Sequence, residues 1–290
     1  WLETFSRVFA VTLEAAGQSL VTNAQTLSRA IDGARTMFEE RLAELAKHPE
    51  TLRPFTVRQL DEIRRDILDL HGLPDPFLRI KHQENMAVCD DYLRLIKAHD
   101  KLDDVSRARV LVEGLLAGNV FDFTPEMKLN RYHAGALDFF HTLDGLSRPW
   151  LVEDGQAWND FFCGTRPLRK AAVFVDNAGA DFVLGCLPLV RVLARRGATV
   201  VVAANDRACY NDMTLPECRA VLRALAEDDG VLAFLLRTQR IRLLGMGQGC
   251  PQVDFADVPE ICNEALAGTQ LLVLVGSSQA LELNWTVRFT

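Results

Sequence analysis

Apolar residues recur at three- and four-residue spacings through the first part of the chain, as in LETFSRVFAVTLEAA and FTVRQLDEIRRDILDLHGL. That period gathers them on one helix face, so helices are predicted from Trp1 to about residue 118. The second segment stops at Gly72 with Pro74 just beyond, an ordinary helix end. VSRARVLVEGLLAGNVFD keeps the same rhythm and runs out at Gly118 and Asn119. No alternating strand is expected before residue 149.

The rhythm changes near Arg148. RPWLVED reads as short and extended, because Pro149 excludes a helix interior. Ala171 to Val175 is a fully apolar run stopped by Asp176 and Asn177, and ATVVVAAND is a second one. RIRLLGMG and QLLVLVG read as two further strands. Between them the pattern predicts helices in FVLGCLPLVRVLARRG, in TLPECRAVLRALAEDDG with Thr214 as its N-cap, and in VPEICNEALAG. Apolar strands alternating with helices imply a parallel sheet covered on both faces. The expected fold class is therefore α/β: a helical N-terminal domain over 1–147, then a domain with a mainly parallel sheet over 148–290. Four strands make a thin sheet, so a further strand is expected beyond Thr290, and LNWTVRFT is read as the start of a helix.

Composition narrows the function classes. With 49% hydrophobic and 24% charged residues the chain is an ordinary globular protein, not a disordered or fibrous one. A formal net charge of −7 argues against a nucleic-acid partner, and any phosphate site must be built locally from a metal, a helix N-terminus or a few cations. No apolar run approaches the roughly 20 residues that span a bilayer, so no membrane partner is expected. The start at Trp1 shows neither an initiator Met nor a leader pattern, which predicts a segment of a longer, cytoplasmic polypeptide. Seven cysteines without a CxxC pair fit reduced core thiols better than a disulfide framework or a zinc knuckle. All six histidines precede residue 142, so the strand-bearing half has no imidazole ligand or base of its own.

Ligands of open parallel sheets bind outside the carboxyl ends of the strands. After the first run come Asp176, Asn177 and Asp181; after the second come Asn205, Asp206, Asn211 and Asp212. Carboxylate and amide oxygens without thiolate or imidazole are hard donors, suited to Mg²⁺ or Mn²⁺. The same residue types are also what turns and helix caps favour, and both readings stand at this point. VDNAG is not a P-loop, GMGQG is not a dinucleotide fingerprint, and no GxSxG elbow occurs.

KAAVFVDNAGADFVLGCLPLVRVLARRGATVVVAANDRACYNDMT, with KHQEN (Lys81 to Asn85), LLAGNVFD (Leu115 to Asp122) and RPWLVED upstream in order, closely resembles the metal-dependent damage-control phosphatases with an ARMT-like metal-binding domain. The most similar branch is the one that stands alone in plants and is fused to pantothenate kinase in animals. The resemblance implies a Rossmann-like three-layer α/β/α domain behind the helical one. It implies Asp176, Asn177 and Asp212 as ligands of a divalent metal (Mn, Mg, Co or Ni), with Asp176 and Asp212 acting in catalysis. It further implies a phosphatase of small phosphometabolites, with 4′-phosphopantetheine and its damaged or oxidised forms as substrates and a pantothenate kinase domain as fusion partner.

Asn119, Asp122, Lys81 and Asn284 become candidate substrate contacts, with Glu84 and Asn85 beside them; for Lys81, Glu84 and Asn85 the alternative is a charged helix face. For Asn119 the alternative is a plain helix stop, and for Asp181 a helix cap; Asp154 is a candidate supporting carboxylate. The resemblance breaks at the C-terminus: Val275 and Gln279 stand where the family has an acidic and a basic residue. Loss of a proton-transfer group and of a phosphate-binding cation predicts, as the alternative to a working enzyme, a degenerate metal-binding relative serving as a regulatory or scaffold domain.

Overall fold

A computed structural model of the chain describes residues 1–290 except 20–22, 54, 120–138, 151, 257, 283 and 285–290. Its first part is helical: α1 (Leu2–Ser19), α2 (Ala24–Lys47), a 3₁₀ turn (Pro49–Leu52), α3 (Val57–Leu70), α4 (Leu78–Ala87), α5 (Cys89–His99) and α6 (Asp104–Asn119). Local chemistry sets the starts. Asn23 accepts from the backbone N–H groups of Gln25 and Thr26 ahead of α2, and Thr56 and Gln59 form a reciprocal capping box ahead of α3. The apolar stripes of α1, α2 and α3 then bury Phe5, Phe9, Leu13, Phe38, Leu60 and Leu68 together, with the rings of Phe9 and Phe38 stacked 4.0 Å apart.

Two short helices, α7 (Phe139–Asp144) and α8 (Gly155–Cys163), lead to the sheet. There follow β1 (Lys170–Phe174), a π-helical turn (Asp181–Cys186) running into α9 (Leu187–Arg195), β2 (Thr199–Ala204), α10 (Leu215–Asp228), α11 (Gly230–Arg237), β3 (Ile241–Gly245), α12 (Glu260–Leu266), β4 (Leu271–Leu274) and a second π turn (Ser278–Glu282). The strands lie in the order β3-β2-β1-β4, and every pair is parallel.

Alternate residues explain why the strands are apolar throughout. Ala171, Val173, Val200 and Val202 point to one face, packed with Tyr92, Ile96, Leu111, Leu187, Val190 and Leu222 from the helices. Ala172, Phe174, Val201 and Ala203 point to the other, with Met246, Val253 and Cys262. Each fully buried Val or Phe of this kind contributes roughly 1.5–3 kcal/mol. Helices from the first half and the sheet thus share one core, reinforced by Arg191, whose guanidinium meets Asp229 at 2.8 Å and Asp100 at 3.0 Å.

The strands and the helices α9, α10 and α12 fall where the pattern places them, and Thr214 and Glu217 pair at the start of α10. Helix α11 is an addition: GVLAFLLR is too uniformly apolar to show a period, and Asp229 starts it by accepting from the N–H groups of Val231 and Leu232. The helix expected in LNWTVRFT falls almost wholly outside the described residues. All seven cysteines are free thiols. No described helix is long and apolar enough to cross a membrane.

Candidate metal centre

Beyond the tips of β1 and β2 the backbone closes on itself. Met213 donates its N–H to the carbonyl of Asp176 at 2.7 Å and Ala178 donates to Asn211 at 2.9 Å, an antiparallel bridge that sets Asn177 opposite Asp212. A parallel bridge joins Asn205 to Thr214, where Leu215 donates to the Asn205 carbonyl at 2.8 Å. Asp176, Asn177 and Asp212 are each buried, and two strand tips bring them to one place. The side chains are tied as well. Asn177 Nδ2 donates to Asp176 Oδ2 at 2.8 Å, Asn211 Nδ2 donates to Asn177 Oδ1, and Asn205 Nδ2 donates to Asp212 Oδ2 at 3.2 Å.

Asn119 reaches the strand tips from α6. It is the last residue of α6, and its amide donates to Asp176 Oδ2 at 3.0 Å and to Asp181 Oδ2 at 2.9 Å. Asp181 opens the π turn, and its carboxylate reaches back to the backbone N–H of Asn177 at 3.1 Å. Beside it lies the Cys186 thiol, 3.8 Å from Asp181 Oδ1; burial, then the charges of Asp181 and Asp176, push its pKa well above the ordinary thiol value. That sulfur is held protonated and is no nucleophile.

Other expected residues sit beneath the loops. The side chain of Lys81 is fully buried, with Nζ 2.9 Å from Asp75, 3.0 Å from Glu217 and 3.4 Å from the carbonyl oxygen of Asp212. Burial lowers its pKa, but the two carboxylates outweigh it and leave the ammonium above its ordinary value. This placement supports the Asp212 loop from behind, where a substrate contact had been expected. Asn85 acts alike, accepting from the N–H of Gly179 at 2.7 Å while its amide nitrogen faces Met213 Sδ at 3.7 Å. Glu84 packs its Cβ against Gly179, which stands at φ +76°. Asn284 is buried and donates to the carbonyls of Val253 at 2.6 Å and Gln279 at 2.8 Å, fastening the chain after the second π turn. Asp206 accepts from the N–H of Gly247. Asp154 lines a groove of about 720 Å³ with Arg109, Arg148 and Trp150, and no strand-tip residue lines it. Asp122 lies outside the described residues.

Val275 is buried in the core and donates its N–H to the carbonyl of Phe174 at 3.2 Å, and Gln279 donates to the carbonyl of Val175 at 2.9 Å, so both residues of the divergent segment support the tip of β1. Three further features escaped the sequence reading. Asp61 and Arg64 occupy the apolar stripe of α3; Asp61 accepts from the Tyr210 hydroxyl at 2.8 Å, and the Arg64 guanidinium lies 3.8 Å above the Tyr210 ring. Tyr210 is held at φ 46°, a left-handed backbone in the loop that delivers Asp212. The signal was a charged pair placed three residues apart among Leu60, Ile67 and Leu68.

Gly276 is the third. At φ +94° it lies so close to Asp176 that an added Cβ would overlap Oδ2. Gly276→Ala is expected to cost about 1–3 kcal/mol from the backbone alone, and to displace the Asp176 carboxylate. A thermal melt checks the first effect and a metal titration the second.

The residues suit a divalent cation. All candidate donors are hard oxygens, and Asn205 Oδ1, beside Asp212, is buried with no hydrogen-bond partner among the described residues. Among the described residues no group of three or more His, Cys, Asp or Glu side chains is arranged to hold an ion. The candidate set is instead two carboxylates and an amide.

Residues 14–286 match the damage-control phosphatase ARMT1-like domain. The chain is 30% identical over 259 residues to damage-control phosphatase At2g17340 of Arabidopsis thaliana, covering 87% of this chain and 70% of that one. It is 30% identical to 4′-phosphopantetheine phosphatase of Mus musculus (88% of this chain, 31% of that one) and to pantothenate kinase 2 of Arabidopsis thaliana (89% and 32%). The chain thus spans only about a third of those two proteins. The plant relatives include one named as a damage-control phosphatase and one named as a pantothenate kinase. In fold it is similar to the crystal structure of a DUF89 family protein from Pyrococcus horikoshii, with TM-score 0.63, 17% identity, and 99% and 86% of the two chains covered.

Proposed function

The chain belongs to the damage-control phosphatase ARMT1-like domain family, and from that membership we propose that it is a metal-dependent phosphomonoesterase acting on 4′-phosphopantetheine or its oxidised or damaged forms. The observation that carries the reading is the backbone bridge that fixes Asn177 opposite Asp212, with Asp176 alongside. The name of the mouse relative supports the substrate class.

Asp176, Asn177 and Asp212 would hold the cation. When bound, it supplies positive charge to the transferring phosphoryl group and acidifies the attacking water. Asn119 and Asn205 hold the carboxylates of Asp176 and Asp212 in one orientation each. Lys81, Asn85 and the Asp61–Arg64–Tyr210 cluster keep the two loops from moving apart, so the site is organised before substrate arrives. Manganese, magnesium, cobalt and nickel are all hard or borderline enough for such donors.

A second reading has its own observation. Val275 is packed in the core, and Gln279 offers a neutral amide to a backbone carbonyl, at the two positions where the resemblance implies an acid and a base. That favours a domain which binds metal and ligand with little turnover, alongside a kinase domain in a longer polypeptide. The length and name of pantothenate kinase 2 support such an arrangement.

Incubating the chain with 4′-phosphopantetheine and each of the four metals, with a chelator control, separates the readings. Metal-dependent phosphate release is the expected result. Thermal stabilisation by metal without release, which can reach about 2.7 kcal/mol at a hundredfold excess over Kd, would establish the second reading instead.

A further inference from the structure

Resting on the metal-centre reading, we infer that Asp181 is a positioning residue that sets which end of the Asn177 amide faces the cation and steadies the Asn119 amide that holds Asp176. One oxygen of its carboxylate, Oδ2, accepts three donors: Asn119 Nδ2 at 2.9 Å, Asn177 Nδ2 at 3.0 Å and the Asn177 backbone N–H at 3.1 Å. An amide whose NH₂ end is claimed by a carboxylate has its carbonyl oxygen directed by the same contact, because the two ends turn together about one torsion. Asp176 Oδ2 accepts from the same two NH₂ groups, at 3.0 Å from Asn119 and 2.8 Å from Asn177, so without the Asp181 charge their orientation is left to a metal-ligand carboxylate alone.

The surroundings are shaped for this contact. Asp181 is 1% exposed, so its charge is held where hydrogen bonds are strong and an unpaired partner is costly. It opens a π-helical turn, a rare backbone form that recurs at functional sites. Helix α6 passes so close that a Cβ on Gly118 would stand 2.8 Å from Asp181 Cα, and that approach lets Asn119 reach the carboxylate. Gly118 is therefore a close-approach residue as well as a helix end.

Calorimetric titration of Mn²⁺ into the wild type, Asp181→Asn, Asn119→Ala and the double variant tests the inference, with metal-free melting curves alongside. Groups that orient metal ligands typically change affinity by about 10–100-fold when altered, and D181N is expected to fall in that range. Because Asp181 acts in part through Asn119, the double variant should lose less than the product of the two single losses; a merely structural role would lower the metal-free melting temperature of D181N and leave its Mn²⁺ affinity unchanged. If D181N fails to fold, Gly118→Ala, which pushes α6 away without changing any charge, is expected to weaken Mn²⁺ binding at least about tenfold on the same grounds. Wild-type affinity in D181N, full additivity, or unchanged binding in G118A would overturn the assignment. A wild type that binds no Mn²⁺ would instead overturn the metal centre itself, and the assignment with it.

Discussion

Asp176→Ala is expected to reduce metal-dependent phosphate release by on the order of a thousandfold, since it removes a direct ligand where outer groups alone are worth about 10–100-fold. The carboxylate is buried, follows β1 directly and receives both Asn119 and Asn177. Among the described residues no neighbouring carboxylate is free to take its place: Asp181 is engaged by the Asn177 backbone, and Asp212 is fixed by the Asn205 amide. The fold should survive, because the antiparallel bridge at this point uses the backbone and not the side chain. The informative measurement pairs phosphate release with metal-induced thermal shift. Loss of both with an intact metal-free melt is the expected pattern; retained turnover would place the metal elsewhere.

Lys81→Met should be the most destabilising of the changes considered, at about 3–5 kcal/mol, the usual cost of removing one partner from a buried ion cluster. At roughly 2 °C or more per kcal/mol for a chain of this size, the melting temperature should fall by about 6–10 °C or more. The sign of its pH dependence follows from the neighbours. The raised pKa of Lys81 keeps the wild-type ammonium charged through the neutral range, and its contribution is lost only as pH rises through that folded value. Burial outweighs Lys81 at Asp75 and already holds that carboxyl above its ordinary value. Without the ammonium, Asp75 binds its proton more readily in the folded state than in the unfolded one, so the variant loses stability as pH rises. Melting curves at pH 5 and pH 8 should therefore show a smaller gap to wild type at the lower pH. A gap that widens at pH 5 would show that the carboxylates are not what Lys81 neutralises.

The sheet was legible because its strands are buried on both faces, which leaves uninterrupted runs such as Ala171 to Val175 that period and length can recognise. Thr214 and Pro216 marked the start of α10 through local chemistry alone. Helix α11 was not legible, for the opposite reason: VLAFLLR is apolar nearly all round, and only Asp229, through its cap, says where it begins. Within the candidate site, chain order showed that polar residues follow β1 and β2, since strand ends are where parallel sheets collect them. It did not show how they are held. Gly276 meets Asp176 and Lys81 meets Asp212 across about a hundred residues or more of chain, and such contacts leave no periodic trace. Asn119 was readable equally as a helix stop and as a pocket group, and nothing local in the chain said that its amide meets the Asp176 and Asp181 carboxylates.

Because the 176–178 and 211–213 segments are sewn together through main-chain hydrogen bonds, the proposed donor atoms do not depend on a cation to assemble them. Most ordering entropy at these positions is settled when the chain folds, which leaves little to lose when an ion docks. Amide exchange at Met213 and Ala178 should then be slow even in chelator, tracking global unfolding more than ion occupancy. Changes to the outer loops of the sheet could accordingly retune what is bound while leaving this seam untouched.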